Sequence, residues 1–396
     1  MSVSDLAAFG GTPVRTKPFP IWPRLPNASI EAACQVLKEG KLKYHPNGHV
    51  SRLEEALASV CGARHVVCVI NGTLSLEIAM RSLGLGVGSA VVIPAYDHPA
   101  NLNSVLNIGA TPIFTDVEYK RPNLSPAGLV DLLRTKKAAT VVVTHMIGLA
   151  DIDAFERIAK EHGVAVIYDC ARVIGSTWKG QPIGRYGTVC SFSFEESKHI
   201  NAGEGGAVTT NSPELAEKIY ACRNRGRDKN GKIVNTGILG SNYRMTELQA
   251  ACLIPQLSIL TDLAMHRTRA IKFLRALLRD IEGIHIPDFD EHANEVVHYN
   301  VTLRYDSAAF NDLDLDTAIE YLNDEGIPCA REWPLPYDYA HRVGIDLGSR
   351  PKTPNADKVH SETIVLKGNV LDAEEDELAD IARALRKIQA ASASIS

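Results

Sequence analysis

The chain has 396 residues, with 42 Lys plus Arg against 47 Asp plus Glu and a net charge of −5. Hydrophobic residues at 45% and charged residues at 22% exclude a disordered or fibrous chain, and the length suits two or three packed lobes. The mild acidity gives no electrostatic reason to expect nucleic acid or an anionic membrane as a partner. Cysteines 34, 61, 68, 170, 190, 222, 252 and 329 are scattered, with no CxxC pair and no metal-like cluster. No metal site is expected, and the thiols read as reduced in a cytoplasmic protein. Residues 1–15 lack both a basic start and an apolar core, and no window holds 18 uninterrupted apolar residues, so a soluble chain is expected.

A Pro-rich lead-in over 12–26 precedes a helix predicted over 29–38, capped at Ser29 and stopped near Gly40. A second helix, over 51–61, stops at Gly62. Short β-branched runs then alternate with helical patterns. Strands are predicted at 65–70, 90–93, 111–115, 140–144 and 164–168, and helices at 73–83, 101–108, 125–134 and 152–162. Unbroken apolar strands between amphipathic helices predict a mostly parallel α/β sheet covered on both faces. Such sheets bind ligands at the carboxyl ends of their strands, which singles out Asn71, the 94–98 loop, His145 and Asp169.

Beyond Asp169 come strands at 190–194 and 206–210, a helix at 213–222, and a polar loop to Gly240. A long helix over 246–279 is expected to hinge two lobes. Strands at 299–304 and 364–366 with helices at 314–325 and 373–389 predict a smaller α+β domain, before a polar tail at 390–396. The expected division is 1–260 for the leading segment and large domain and 261–396 for the small one.

Three features carry chemistry. Asn71-Gly72-Thr73 opens a helix after a buried strand, where free N–H groups suit a phosphate; the plain alternative is an N-cap. Asp169 ends an apolar strand, and a buried carboxylate there needs a cation such as a pyridinium nitrogen, or serves as a helix cap. Lys198 lies between an aromatic strand and the Gly203-Glu204-Gly205-Gly206 turn. An amine in partly apolar surroundings becomes nucleophilic, as Schiff-base chemistry requires, although most lysines are solvated surface charges.

Phosphate cup, carboxylate and lysine occur in that order. With Asp169 to Gly175, Ser191-Phe192-Ser193-Phe194, Lys198, and Asn242-Tyr243-Arg244-Met245-Thr246-Glu247, the chain resembles the DegT/DnrJ/EryC1/StrS aminotransferases from about Gly10 to the last helix. The resemblance implies a fold-type I, pyridoxal 5'-phosphate (PLP)-dependent transferase with a seven-stranded, mostly parallel sheet. It implies that Lys198 binds the cofactor covalently and shuttles a proton, and that Asp169 keeps the ring nitrogen protonated. Gly72, Thr73 and Ser193 become phosphate contacts, and Asn242 reaches the phosphate of a neighbouring subunit in an obligate dimer.

Departures from the family pattern stand beside these. Asp97-His98 replaces a Thr-aromatic pair; His98 is expected to flank the cofactor ring, by stacking or as a cation, unless it is only a loop residue before Pro99. Arg172 replaces Gln or His, placing a positive charge beside the phenolic oxygen unless it points to the surface. Glu195 and Glu196 are expected to face solvent. Arg223, Arg225 and Arg227 read as an exposed basic loop, or as a grip on a substrate anion. Tyr44-His45 belongs to a region that in relatives approaches the partner's site. Gly205-Gly206 reads as a backbone turn, since it lacks Rossmann spacing.

The opening, from Gly10 through Arg15 to Pro18 and Pro23, resembles the inosose aminotransferase and aminohydroxybenzoate synthase branch. The expected function is amino transfer from glutamine or glutamate to a ketone of a cyclitol or sugar in aminoglycoside-like antibiotic biosynthesis. The alternatives are a PLP-dependent lyase or dehydratase, with His199 beside the lysine, and a nucleotide-linked keto-sugar aminotransferase. A regulatory or scaffold role is disfavoured, because the lysine is present and no basic appendage exists.

Overall fold

The computed structural model describes residues 2–288, 292–293 and 295–394. Helices α1 (Asn27–Glu39) and α2 (His49–Cys61) end where Gly40 and Gly62 take left-handed φ values of 69° and 65°. Ser29 does not cap α1. Pro26 stands at that position, and the buried Ser29 hydroxyl donates to Cys252 O at 2.8 Å, tying the helix down.

The predicted alternation follows as β1 (His65–Val69), α3 (Gly72–Ser82), β2 (Ala90–Pro94), α4 (Pro99–Asn107), β3 (Thr111–Thr115), α5 (Pro126–Thr135), β4 (Thr140–Thr144), α6 (Ile152–His162) and β5 (Ala165–Asp169). A small hairpin, β6 (Thr177–Trp178) and β7 (Gln181–Pro182), precedes β8 (Val189–Ser193), β9 (Gly206–Thr210) and α7 (Pro213–Arg223). The main sheet has seven strands in the order β1-β9-β8-β5-β4-β2-β3, with β9 antiparallel to both neighbours and the rest parallel. Alternate side chains feed opposite cores. Val141 and Val143 pack with α2, α5 and α6, whereas Val142 packs with α3, α4 and α7.

The long helix expected over 246–279 is two helices, α8 (Glu247–Leu253) and α9 (Leu260–Leu278), joined by a tighter 3-10 turn at Ile254–Ile259. Pro255 causes the break, because its ring lacks an N–H and crowds the preceding turn. Among the described residues, the run Glu247–Leu278 alone is long and apolar enough to match a membrane span. Its Leu253, Leu260, Ile271, Leu274 and Leu278 are buried in the protein's own cores.

The remainder comprises β10 (Ile284–His285), β11 (Val301–Tyr305), α10 (Leu315–Asp324), β12 (Cys329–Ala330), α11 (Pro336–Arg342), α12 (Pro354–Ser361), β13 (Thr363–Leu366) and α13 (Glu375–Ser392). An antiparallel sheet ordered β10-β11-β13-β12 packs against α9, α10 and α13, giving the smaller α+β lobe. Helix α13 takes in residues 390–392 of the expected polar tail, and 395–396 lie outside the described residues. Leu6 and Phe19 of the leading segment are buried in this second core. Arg15 fixes them there, with ion pairs to Glu377 at 2.7 Å and Asp380 at 3.0 Å.

Candidate active site

The carboxyl ends of β1, β2, β4, β5 and β8 converge on one edge of the sheet, around a cleft of about 420 Å³. Gly72, Thr73, His98, Asp169, Arg172, Ser193 and Lys198 all line it.

One end of the cleft is the start of α3. Asn71 is its N-cap, accepting from Leu74 N at 2.9 Å, so that expected alternative holds. The first-turn N–H groups of Gly72 and Thr73 have no intrahelical acceptor. A Cβ on Gly72 would lie 2.6 Å from Ser193 Cβ, so only glycine lets the helix start meet the end of β8. A Cβ on Gly206 would lie 2.4 Å from Asn71 O, which makes the glycine turn a matter of backbone approach. Two backbone amides and the Thr73 and Ser193 hydroxyls form a cradle that fits a phosphate.

Asp169 stands at the floor, 5% exposed. Its Oδ1 accepts from Ala171 N and its Oδ2 from Asn101 Nδ2, both at 3.0 Å. Burial pushes the carboxyl above its ordinary range, opposed by those hydrogen bonds and by the charges of Lys198 and Arg172. A carboxylate so placed fits a protonated ring nitrogen. Lys198 Nζ sits 4.3 Å from the centre of the Tyr299 ring, whose hydroxyl is 2.7 Å from Ser197 Oγ. The donor set suits PLP: an anion cradle, an amine and a buried carboxylate around one cleft.

His98 lines the cleft and also caps α4, its Nδ1 accepting from Ala100 N at 3.1 Å. Burial, then the nearby Arg172 and Lys198 charges, pull its pKa down to about 4. The imidazole is therefore neutral, and the cationic form considered from sequence does not arise at neutral pH. Arg172 is buried rather than surface-pointing. Its two terminal nitrogens each lie 3.2 Å from a carboxylate oxygen of Glu332, so the expected free positive charge is neutralised within the protein. Burial disfavours the charged Glu332, but Arg172 outweighs it and holds the carboxyl below its ordinary range.

Other expectations meet mixed outcomes. Glu196 is exposed as expected, whereas Glu195 is half-buried at the cleft rim, accepting from Ser197 N at 3.1 Å. Arg223 is fully buried rather than part of an exposed loop, paired with Glu54 at 2.6 Å between the Tyr44 and Tyr220 rings. Arg225 is exposed and Arg227 half-buried. Asn242 does not line this chain's cleft; it is exposed and bridges to Asn224. His199 is buried edge-on to Tyr299 and does not line the cleft either. Sequence reasoning missed Tyr299, Glu332 and Trp333, which the small lobe delivers. The Trp333 and His98 rings meet edge-on at 5.1 Å.

His145 is also outside the cleft. Its ring stacks on Tyr168 at 5.3 Å, its Nδ1 accepts from Ala150 N at 3.0 Å, and burial pulls its pKa down to about 3. Because this lies below the unfolded value of about 6.5, the unfolded chain binds the proton first. Stability from His145 is present above pH 6.5 and lost as pH falls toward 3, with about 2 kcal/mol gone between pH 7 and 5. Thermal unfolding by circular dichroism should show a smaller drop in Tm over that interval for His145→Asn than for the parent. The buried carboxylates, Asp169 acting with the opposite sign and Glu332 with the same sign, are common to both. An equal drop in the two proteins would refute this account.

The profile of the DegT/DnrJ/EryC1/StrS aminotransferase family matches residues 23–386, and the chain belongs to that family. It is 31% identical to the L-glutamine:2-deoxy-scyllo-inosose aminotransferase of Streptomyces paromomycinus, covering 97% of each chain. The enzyme of the same description from Streptomyces lividus is 32% identical, with the same coverage. Among solved structures, 3-amino-5-hydroxybenzoic acid (AHBA) synthase superposes with a TM-score of 0.87 at 28% identity, over 95% of this chain and 100% of that one. Both this and the inosose aminotransferases match the branch expected from the opening residues. The protein is thus an enzyme of amino-group transfer.

Proposed function

We propose that the chain is a PLP-dependent aminotransferase that takes an amino group from L-glutamine, or L-glutamate, and delivers it to a ketone of a cyclitol in aminoglycoside-like antibiotic biosynthesis. The observation that carries this is the meeting of Lys198, Asp169 and the amino end of α3 around one cleft, in a chain about 31% identical to glutamine:inosose aminotransferases over almost its whole length. The acceptor reading leans on those relatives' names.

Bound in the cleft, PLP supplies a cationic ring that takes up the electron pair left when a carbon–hydrogen bond of the amino acid breaks. Gly72, Thr73 and Ser193 hold the phosphate. Asp169 holds a negative charge against the ring-nitrogen proton, and the neutral His98 flanks the ring. Arg172, whose terminal nitrogens donate to Glu332, would line the cofactor's site without adding net charge. Lys198 Nζ anchors the cofactor and carries the proton between carbons, while the Tyr299 ring covers that amine against water. Asn242 serves the site of a second copy, so the active form is a homodimer with shared sites. The enzyme works in the cytoplasm and requires neither metal, membrane nor nucleic acid.

The test is an absorbance spectrum of the PLP-loaded protein before and after L-glutamine. The visible band of the lysine-bound cofactor should give way to the shorter-wavelength band of its aminated form, and a keto-cyclitol such as 2-deoxy-scyllo-inosose should restore it. A band that no amino acid alters would overturn the reading.

A further inference from the structure

Behind Asp169 the loop after β2 buries a second carboxylate. Asp97 is 2% exposed, and it is held by the same amide that holds Asp169. Asn101 Nδ2 lies 2.9 Å from Asp97 Oδ2 and 3.0 Å from Asp169 Oδ2, so the two oxygens are at most about 6 Å apart. The Thr144 hydroxyl lies 2.8 Å from Asp97 Oδ2 and 3.1 Å from the same amide nitrogen. Asn101 thus turns its nitrogen toward three acceptors, while its own Oδ1 is buried with no hydrogen-bond partner among the described residues. Leaving a buried acceptor unmet is costly, so the carboxylates dictate the orientation of the amide.

Two buried carboxylates held by one amide disfavour each other's charge, and burial adds to that. The surroundings decide which one keeps a proton. Asp169 borders the cleft, where it accepts from Ala171 N and faces Lys198 and Arg172. Asp97 lies behind it, with His98 N at 2.7 Å from Oδ1, and the Arg172 charge acts on it less than the Asp169 charge does. The imidazole of His98 is neutral and adds no charge. We infer that Asp97 is a neutral, protonated carboxylic acid at neutral pH, and that through Asn101 it positions Asp169 as the single negative charge at the cleft floor. Burial and the nearby Asp169 charge both push the Asp97 carboxyl well above its ordinary range, in agreement with that state.

The inference rests on the cofactor reading only for the use of the charge. Asp97 is a positioning residue: it fixes the Asn101 amide, which fixes the carboxylate meant for the ring nitrogen, and it adds no second charge there.

The direct test is an infrared spectrum of the cofactor-free protein at pH 7 in water and in deuterium oxide. A protonated-carboxyl C=O stretch that shifts on deuteration is expected, and Asp97→Asn should remove it. No such band, or a band untouched by the substitution, would overturn the inference. Cofactor retention supplies a second readout. Asp97→Asn, an uncharged isostere of the acid, should keep the Kd for PLP within about twofold, whereas Asp97→Ala frees the amide and should raise it tenfold or more. Equal weakening by both variants would mean that the Asp97 charge is needed, and the inference would fail. If Asp97→Asn does not fold, titration of the band in the unaltered protein decides instead: it should persist to above neutral pH, and its loss below pH 6 counts against a proton on Asp97. A band lost in Asp97→Asn in a protein that binds no PLP would sink the cofactor reading and leave this inference standing.

Discussion

Lys198→Ala should leave a folded protein that no longer traps PLP on treatment with borohydride. In the parent, reduction should fix the cofactor to Lys198, found by peptide mass spectrometry as a modified segment around Ser197 and His199. In the variant, PLP still enters the cradle of Gly72, Thr73 and Ser193 but leaves on dialysis. Amino transfer should fall by roughly 10²–10⁴-fold from the lost proton carrier alone, and further from the lost covalent anchor. Unfolding should move little, because the half-buried Lys198 amine rests on the Tyr299 ring and is absent from the sheet's hydrogen bonding. A variant that still yields borohydride-fixed cofactor would place the anchoring amine elsewhere.

Glu332→Ala should be the most damaging single change to stability at the site. It strips the partner from Arg172, whose side chain is 8% exposed and whose bidentate pair is made with a carboxylate 6% exposed. An uncompensated buried guanidinium costs about 3–5 kcal/mol, more than the pair itself contributes. Changing both ends together, as in Arg172→Met with Glu332→Leu, removes the charge as well as its partner and should recover most of the loss. A double-mutant cycle read by Tm measures this, and a Glu332→Ala protein as stable as the parent would show that the guanidinium finds another partner.

The parallel sheet was legible because its strands are apolar throughout and its helices carry the 3.6-residue period. Asn71 and Asp169 were legible as candidates for a related reason, since the carboxyl end of a strand is both a sequence position and a place in space, whereas Ser193 entered only through the family resemblance. Glu332 was not. Its partner Arg172 lies 160 residues earlier, and only the packing of the small lobe on the large one joins them. Arg223 misled by its neighbours, since three arginines in a polar loop read as solvated while Glu54 had already been folded beneath one of them. The helix break at Pro255, and the starts of α11 and α12 at Pro336 and Pro354, carried a local signal in the proline itself, but these elements are too short for periodicity to announce.

The ion pairs of Arg15 bear on how the chain is made. Its partners Glu377 and Asp380 are the last helix's, 362 and 365 residues further on. A ribosome must therefore have made Glu377 and Asp380 before the segment around Arg15 can dock, and Leu6 and Phe19 wait exposed meanwhile. The large sheet can assemble during synthesis, whereas the small lobe closes only once α13 has been made, as a topologically distant event. The segment around Arg15 is thus a strap that fastens after the helix it binds, α13, has been made. It runs from the small lobe to Trp22, whose indole donates to Glu196 O at 3.2 Å, so its docking also braces the segment two residues from Lys198.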